Sequence, residues 1–185
     1  MYTVAVSTSE RAQFKRIWSQ VWTEMGYEQM EEDSESSKLL VQNEDEAYIG
    51  IIEIKPYRSA NLELNQVAPF HQQPELVGSM EKAAEVSKVA MLSEHRGANL
   101  SRILSALVYY ADRHLLDYYV GLVEPAFARA LRITYKVPMR AIQGRMWHKG
   151  REVIPMMIHV GRVRRDKHDY KWILANEQKT MLESY

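Results

Sequence analysis

An apolar run, Ala84 to Leu92, ends in the polar stretch Ser93-Glu94-His95-Arg96-Gly97-Ala98-Asn99. A helical pattern opens at once, with Leu100, Ile103, Leu104, Leu107, Val108 and Ala111 at three- and four-residue spacing. A strand that turns tightly into an amphipathic helix must lie in a layered α/β structure, because both elements bury one face against each other. The turn also has chemical consequences. Backbone N–H groups at a helix start have no intrahelical partner, and the helix dipole adds partial positive charge there. Such a turn suits an anion, typically a phosphate. Arg96 adds a formal charge, Gly97 lets the backbone turn or approach closely, and Asn99 and Ser101 are short hydrogen-bonding side chains. The plain alternative is an ordinary strand–helix turn with an exposed arginine.

The chain around this segment has 185 residues, enough for one domain with a sizeable core. Lysine plus arginine balance aspartate plus glutamate at 24 each, so there is no global basic field for nucleic acid. There is no cysteine, which excludes disulfides, thiol nucleophiles and thiolate metal sites. No apolar stretch reaches the length of about 18 residues that a spanning helix needs. The opening MYTVAVSTSERAQFKR carries no secretory apolar region, and a cytoplasmic protein without membrane or nucleic-acid partners is expected.

Tyr2 to Val6 reads as a strand, and Ser7 with Glu10 as a capping box opening a helix. Phe14, Ile17, Trp18, Val21, Trp22 and Met25 follow at helical spacing until Gly26. Residues 30–37 are acidic and polar, and read as loop. Leu39–Val41 and Ala47–Ile54 read as a hairpin ended by Pro56. Tyr57 to Met80 reads as a long loop of the kind that is functional or mobile. Asp117–Val123 is a strand, and Pro125 starts a helix to Ile133. Pro138 begins a short strand, Arg145–Arg151 is a loop, and Val153–Val160 is the last strand. Residues 1–160 are expected to form one domain, and 161–185 a charged C-terminal helix or tail with a weak apolar stripe of Tyr170, Ile173 and Leu174.

The segment Val89-x-Met91-x-Ser93-x-x-Arg96-Gly97-x-Asn99-x-Ser101 resembles the acyl-CoA-binding turn of the GCN5-related N-acetyltransferase superfamily, with Asn99 and Ser101 where that family has small residues, usually glycines. Glu85-x-Ser87-Lys88 is similar to the E-x-S-R of acyl-homoserine-lactone (autoinducer) synthases and N-acyl amino acid synthases, a branch of the same fold. Arg16, Trp18 and Trp22 in the first helix, Glu32 and Asp33, Gly50 and Lys55, and Gly144, Trp147 and Gly150 extend the likeness over residues 11–160. The resemblance implies a mixed, mainly antiparallel central sheet flanked by helices. It also implies an acyl-CoA or acyl-phosphopantetheine donor held by Met91, Leu92, Arg96, Gly97, Ala98, Asn99, Leu100, Ser101 and Arg102. Acyl carrier protein is then a candidate partner, through the basic Arg162–Lys171 cluster, and a homodimer is a further expectation.

Acyl transfer to an amine requires removal of a proton from the amine and stabilisation of an oxyanion. Glu85, flanked by apolar residues near the strand start, is the first base candidate, with a structural ion pair as its plain alternative. Glu53 is the second; alternation sets it beside Ile51, and its plain reading is a solvent-facing strand residue. Members of the superfamily use a helix tyrosine as acid; Arg132 stands at that place here, with Tyr135 one turn on as the catalytic candidate or a packing residue. Trp18 and Trp22 are expected to wall an acyl or acceptor pocket together with Lys88. His95, His114, His148, His159 and His168 lack metal-site spacing, so no metal is expected. The leading expectation is an N-acyltransferase using a long-chain thioester and a small-molecule amine. A short-chain acetyl-CoA enzyme and a non-catalytic binding module of the same fold are the alternatives.

Overall fold

The capping box at Ser7 forms as its spelling dictates. Ser7 Oγ accepts from the Glu10 N–H at 3.2 Å, and Glu10 Oε2 accepts from the Ser7 N–H at 2.9 Å. The helix α1 (Thr8–Glu24) that follows buries Phe14, Ile17, Trp18, Val21 and Trp22. This is a computed structural model, and it describes residues 1–26, 35–58, 62–97 and 99–175.

Among the described residues, eight strands form the sheet: β1 (Tyr2–Val4), β2 (Ser37–Gln42), β3 (Tyr48–Pro56), β4 (Ala83–Met91), β5 (Tyr118–Val123), β6 (Met139–Ala141), β7 (Met146–His148) and β8 (Arg151–Ile158). Their order is β1-β2-β3-β4-β5-β8-β6, with β7 also paired to β8. All pairings are antiparallel except β4 with β5. One face carries α1 and the short α2 (Leu62–Val67). The other carries α3 (Leu100–Arg113), α4 (Pro125–Ile133) and α5 (Val160–Arg165). The expected mixed, mainly antiparallel sheet is thus present.

Two local expectations need correction. Residues 145–151 are not a loop: Lys149 and Gly150 both take positive φ, 47° and 78°, which gives the tight turn whose twist matches a two-stranded hairpin. The turn joins β7 to β8 and leaves Trp147 exposed. Within the expected long loop 57–80, α2 forms and Leu64, Phe70 and Leu76 bury against Tyr57, Ala83, Val120 and Met157. A helix of so few residues shows too little periodicity to be read locally. Of the last segment, expected as a charged helix or tail, the structure describes residues up to 175. After α5, Tyr170, Trp172 and Ile173 pack on the core, while Arg164, Arg165 and Lys167 pair with Asp112 and Asp117. Three side chains of the basic cluster thus share two carboxylates within the chain.

The α2 region is tied to the sheet edge by Arg140, whose Nε and Nη2 donate to both Glu75 oxygens, at 3.0 and 2.7 Å. These bonds hold the Glu75 carboxyl below its ordinary value of 4.5. Stability from this pair is therefore present above that value and is lost as pH falls through the depressed one. Because the pair is partly solvated, Glu75→Gln should cost no more than about 1 kcal/mol at neutral pH. It should also flatten the acid limb of a stability–pH profile; an unchanged limb would show that the pair contributes nothing.

Candidate active site

Strands β4 and β5 pair only over Ala83–Glu85 and Tyr118–Val120. From Val86 onward they part. Among the described residues, the β4 edge that faces β5 beyond this point has no neighbouring strand, so its alternate backbone groups point into the gap. The gap is a cavity of about 420 Å³ that passes through the sheet. On the α1 side Trp18, Trp22, Met25 and Lys88 line it; on the other side Leu104, Leu107, Phe127, Leu131 and Trp172 do. Arg96 and Gly97 stand at its mouth together with Glu124 and Arg151.

A bulge sets the polar side chains. Glu53 pairs with Lys88 and Ile54 with Val86, so Ser87 is the extra residue of β4. The bulge interrupts the two-residue alternation and brings Glu85 and Lys88, three apart, onto the same face. Glu53 is fully buried there, not solvent-facing. Its Oε1 accepts from Ser36 Oγ at 2.5 Å, its Oε2 lies 2.5 Å from the Lys88 ammonium, and Lys38 stands 3.9 Å away. Glu85 Oε2 lies 3.6 Å from Lys55 Nζ. Tyr57 donates to Asn65 Oδ1 at 2.7 Å, and its hydroxyl pKa is pushed up by burial first and by the nearby Glu85 charge as well. Lys88 lies 5.5 Å from the Trp18 ring centroid, and the Trp18 and Trp22 rings are 4.1 Å apart. The Trp18 indole N–H is buried without a hydrogen-bond partner among the described residues. Such a donor is a natural partner for a ligand oxygen.

The turn after β4 is a single 3₁₀ turn, Ser93–His95, followed by Gly97 at φ 86°, a conformation that favours glycine. Arg96 Nε donates to the Met91 carbonyl at 3.2 Å, and its Nη2 is 3.7 Å from Glu24 on α1. Asn99 donates to the His95 carbonyl and accepts from Arg102 Nε, so its side chain does not cap α3. Arg102 also bonds Glu44 at 2.8 Å.

Of the residues expected to hold a donor, Met91, Arg96, Gly97 and Leu100 line the cavity. Leu92, Asn99, Ser101 and Arg102 do not, and Ala98 lies outside the described residues, as do Glu32 and Asp33. Trp18, Trp22 and Lys88 also line it. Glu85 and Glu53 are buried and do not line it, although Val86, Ser87 and Lys88 next to Glu85 on β4 do. Tyr135 does not reach it; the ring packs edge-on against Trp172, with centroids 5.8 Å apart. Sequence reasoning missed Arg151, Glu124, Phe127 and Trp172. Arg151 sits 5.2 Å over the Trp22 ring and 3.4 Å from Glu124. No spacing in the chain signals that contact, since its members come from α1, the start of α4 and β8.

No family model matches this chain, and no curated protein matches its sequence. Solved structures do match. The N-acyl amino acid synthase FeeM from uncultured soil microbes superposes with TM-score 0.69 at 18% identity, covering 86% of this chain and 90% of that one. The AHL synthase LasI gives 0.65 at 14% identity over 89% and 93%. A putative N-acetyltransferase from Lactobacillus plantarum gives 0.61 at 13% identity over 86% and 97%. This chain shares their fold, that of the GCN5-related N-acetyltransferases, as the mid-chain turn implied.

Proposed function

We propose that this protein, built on the GCN5-related N-acetyltransferase fold, is an N-acyltransferase. It moves an acyl group from an acyl-CoA or acyl carrier protein thioester to the amine of a small molecule. The observation that carries the reading is the apolar cavity between the parted strands β4 and β5, which opens at the Arg96–Gly97 turn. A phosphopantetheine arm entering at that turn can run along the open edge of β4 as an added strand would. Backbone N–H groups there are placed to donate to the thioester carbonyl as it becomes an oxyanion. The unpartnered Trp18 N–H is a further donor at the same wall.

Glu85 is the last β4 residue paired with β5, so it stands at the closed end of the cleft, on the α1–α2 face. It takes the proton from the amine that attacks the carbonyl carbon. The tetrahedral adduct then collapses, the C–S bond breaks and the thiolate leaves. No covalent bond to the protein forms, in keeping with the absence of cysteine. Glu53 is the alternative base, but Lys88 and Ser36 already hold both its oxygens, which suits a positioning role for Lys88. The breadth of the cavity favours a long acyl chain over acetyl, since the sites that enclose drug-sized ligands start at about 300 Å³.

The test is calorimetric titration with coenzyme A, acetyl-CoA, a long-chain acyl-CoA and a long-chain acyl carrier protein, followed by turnover of Glu85→Gln. A long-chain donor should bind tightest. Glu85→Gln should lose about 10²–10⁴-fold in turnover with fold and donor affinity kept. Binding of no donor would favour a non-catalytic module of this fold, and tight binding of acetyl-CoA alone a short-chain enzyme. Unchanged turnover would remove Glu85 from the mechanism.

A further inference from the structure

The far wall of the cavity is closed by a residue from beyond the last strand. Trp172 lines the cavity and packs with Leu104, Leu131 and Val137, on the face opposite Trp18 and Trp22. Its placement is fixed at several points. The indole N–H donates to the Tyr135 carbonyl at 2.8 Å. The Leu174 N–H donates to Ser105 Oγ at 2.9 Å, and Tyr109 donates to the Leu174 carbonyl at 2.9 Å. The ring stands edge-on to Tyr135 and to Tyr170, with centroids 5.8 and 5.7 Å away. Ser105 is fully buried and spends its hydroxyl on this segment. A large ring held this firmly cannot swing aside without breaking a partly buried hydrogen bond.

We infer that Trp172 is the end wall of the acyl chamber and sets the longest chain the protein accepts. This rests on the acyltransferase reading above and adds a specificity residue to it. A chain entering beside Arg96 and Gly97 reaches Leu104 and Leu131 and stops at the indole. Each methylene before that wall gains burial; each one after it meets a fixed ring. Affinity should therefore rise about fourfold per added methylene, from about 0.8 kcal/mol each, and then fall sharply. Tyr135 is on this account a buttress for Trp172.

The experiment is a length series of straight-chain acyl-CoAs, and the matching acyl carrier proteins, titrated into the full chain and into Trp172→Ala and Trp172→Phe. The break in affinity should move to longer chains in Trp172→Ala and by a smaller step in Trp172→Phe, with short-chain affinity kept within about threefold. Circular dichroism checks the fold, and if Trp172→Ala does not fold, Trp172→Phe decides. Folded variants that bind every length as the parent does, or weaken all lengths alike, would overturn the assignment while leaving the acyltransferase reading intact. A parent chain that binds no acyl donor would sink both.

Discussion

Replacing Lys88 by methionine is expected to lower stability by about 3–5 kcal/mol, because it strands the Glu53 carboxylate in the core. Glu53 is fully buried, and the Lys88 ammonium 2.5 Å from its Oε2 is its closest counter-charge; Lys38 is farther, at 3.9 Å from Oε1. Methionine keeps an unbranched apolar stem of four atoms and removes the ammonium, so packing loss is small. For a chain of this size the melting temperature should drop by roughly 10 °C. The second substitution Glu53→Gln, made in the Lys88→Met background, should restore at least half of the loss, since it removes the orphaned charge. Thermal or urea unfolding of the four proteins of this cycle measures both effects. A loss below about 1 kcal/mol for Lys88→Met would mean that Glu53 finds its compensation elsewhere. It would also weaken the view that the pair serves to fix Lys88 beside Trp18 at the cavity wall.

The second large effect is expected on ligand choice. Leu104 projects from α3 into the cavity and is itself almost fully buried. Leu104→Trp would fill part of the chamber between α3, α4 and Trp172. Excluding about four methylenes at about 0.8 kcal/mol each should weaken a long-chain donor by roughly a hundredfold. Coenzyme A and acetyl-CoA, whose contacts lie toward the mouth, should bind within about threefold of the parent. Competition titrations with both donor types measure this directly. Equal weakening of both would show that the far chamber does not receive the acyl chain. The cavity leaves room for the larger ring, so the cost in stability should stay below the 1–3 kcal/mol typical of an overpacked core.

Much of the fold follows from short-range rules. The capping box at Ser7, the proline at the start of α4, the strong stripe of α3 and the apolar runs of β3 and β4 each declare themselves locally, and each forms. The Arg96–Gly97 turn is similarly legible, because only a few residue types tolerate the backbone it needs. The site was only partly legible. Trp18, Trp22 and Lys88, the substrate-binding candidates, line the cavity. Arg102 and Asn99, read as donor contacts, bond to Glu44, His95 and each other and do not line the cavity. Trp172 carried no signal, since it sits in a charged stretch with little periodicity.

The sequence by itself determined which segments are helices and strands in the middle of the chain, the tight turn that joins β4 to α3, and the lack of any thiol chemistry. Those are properties of backbone propensity, hydrophobic period and composition, and they act over a few residues. Only the tertiary structure decided that β4 and β5 part after Glu85, that a bulge at Ser87 turns Lys88 toward Glu53, and that Trp172, far along the chain, lines the cavity. A strand's register and its bulges depend on the partner strand. A cavity depends on what several distant elements leave unfilled, and neither quantity is defined until the chain has packed.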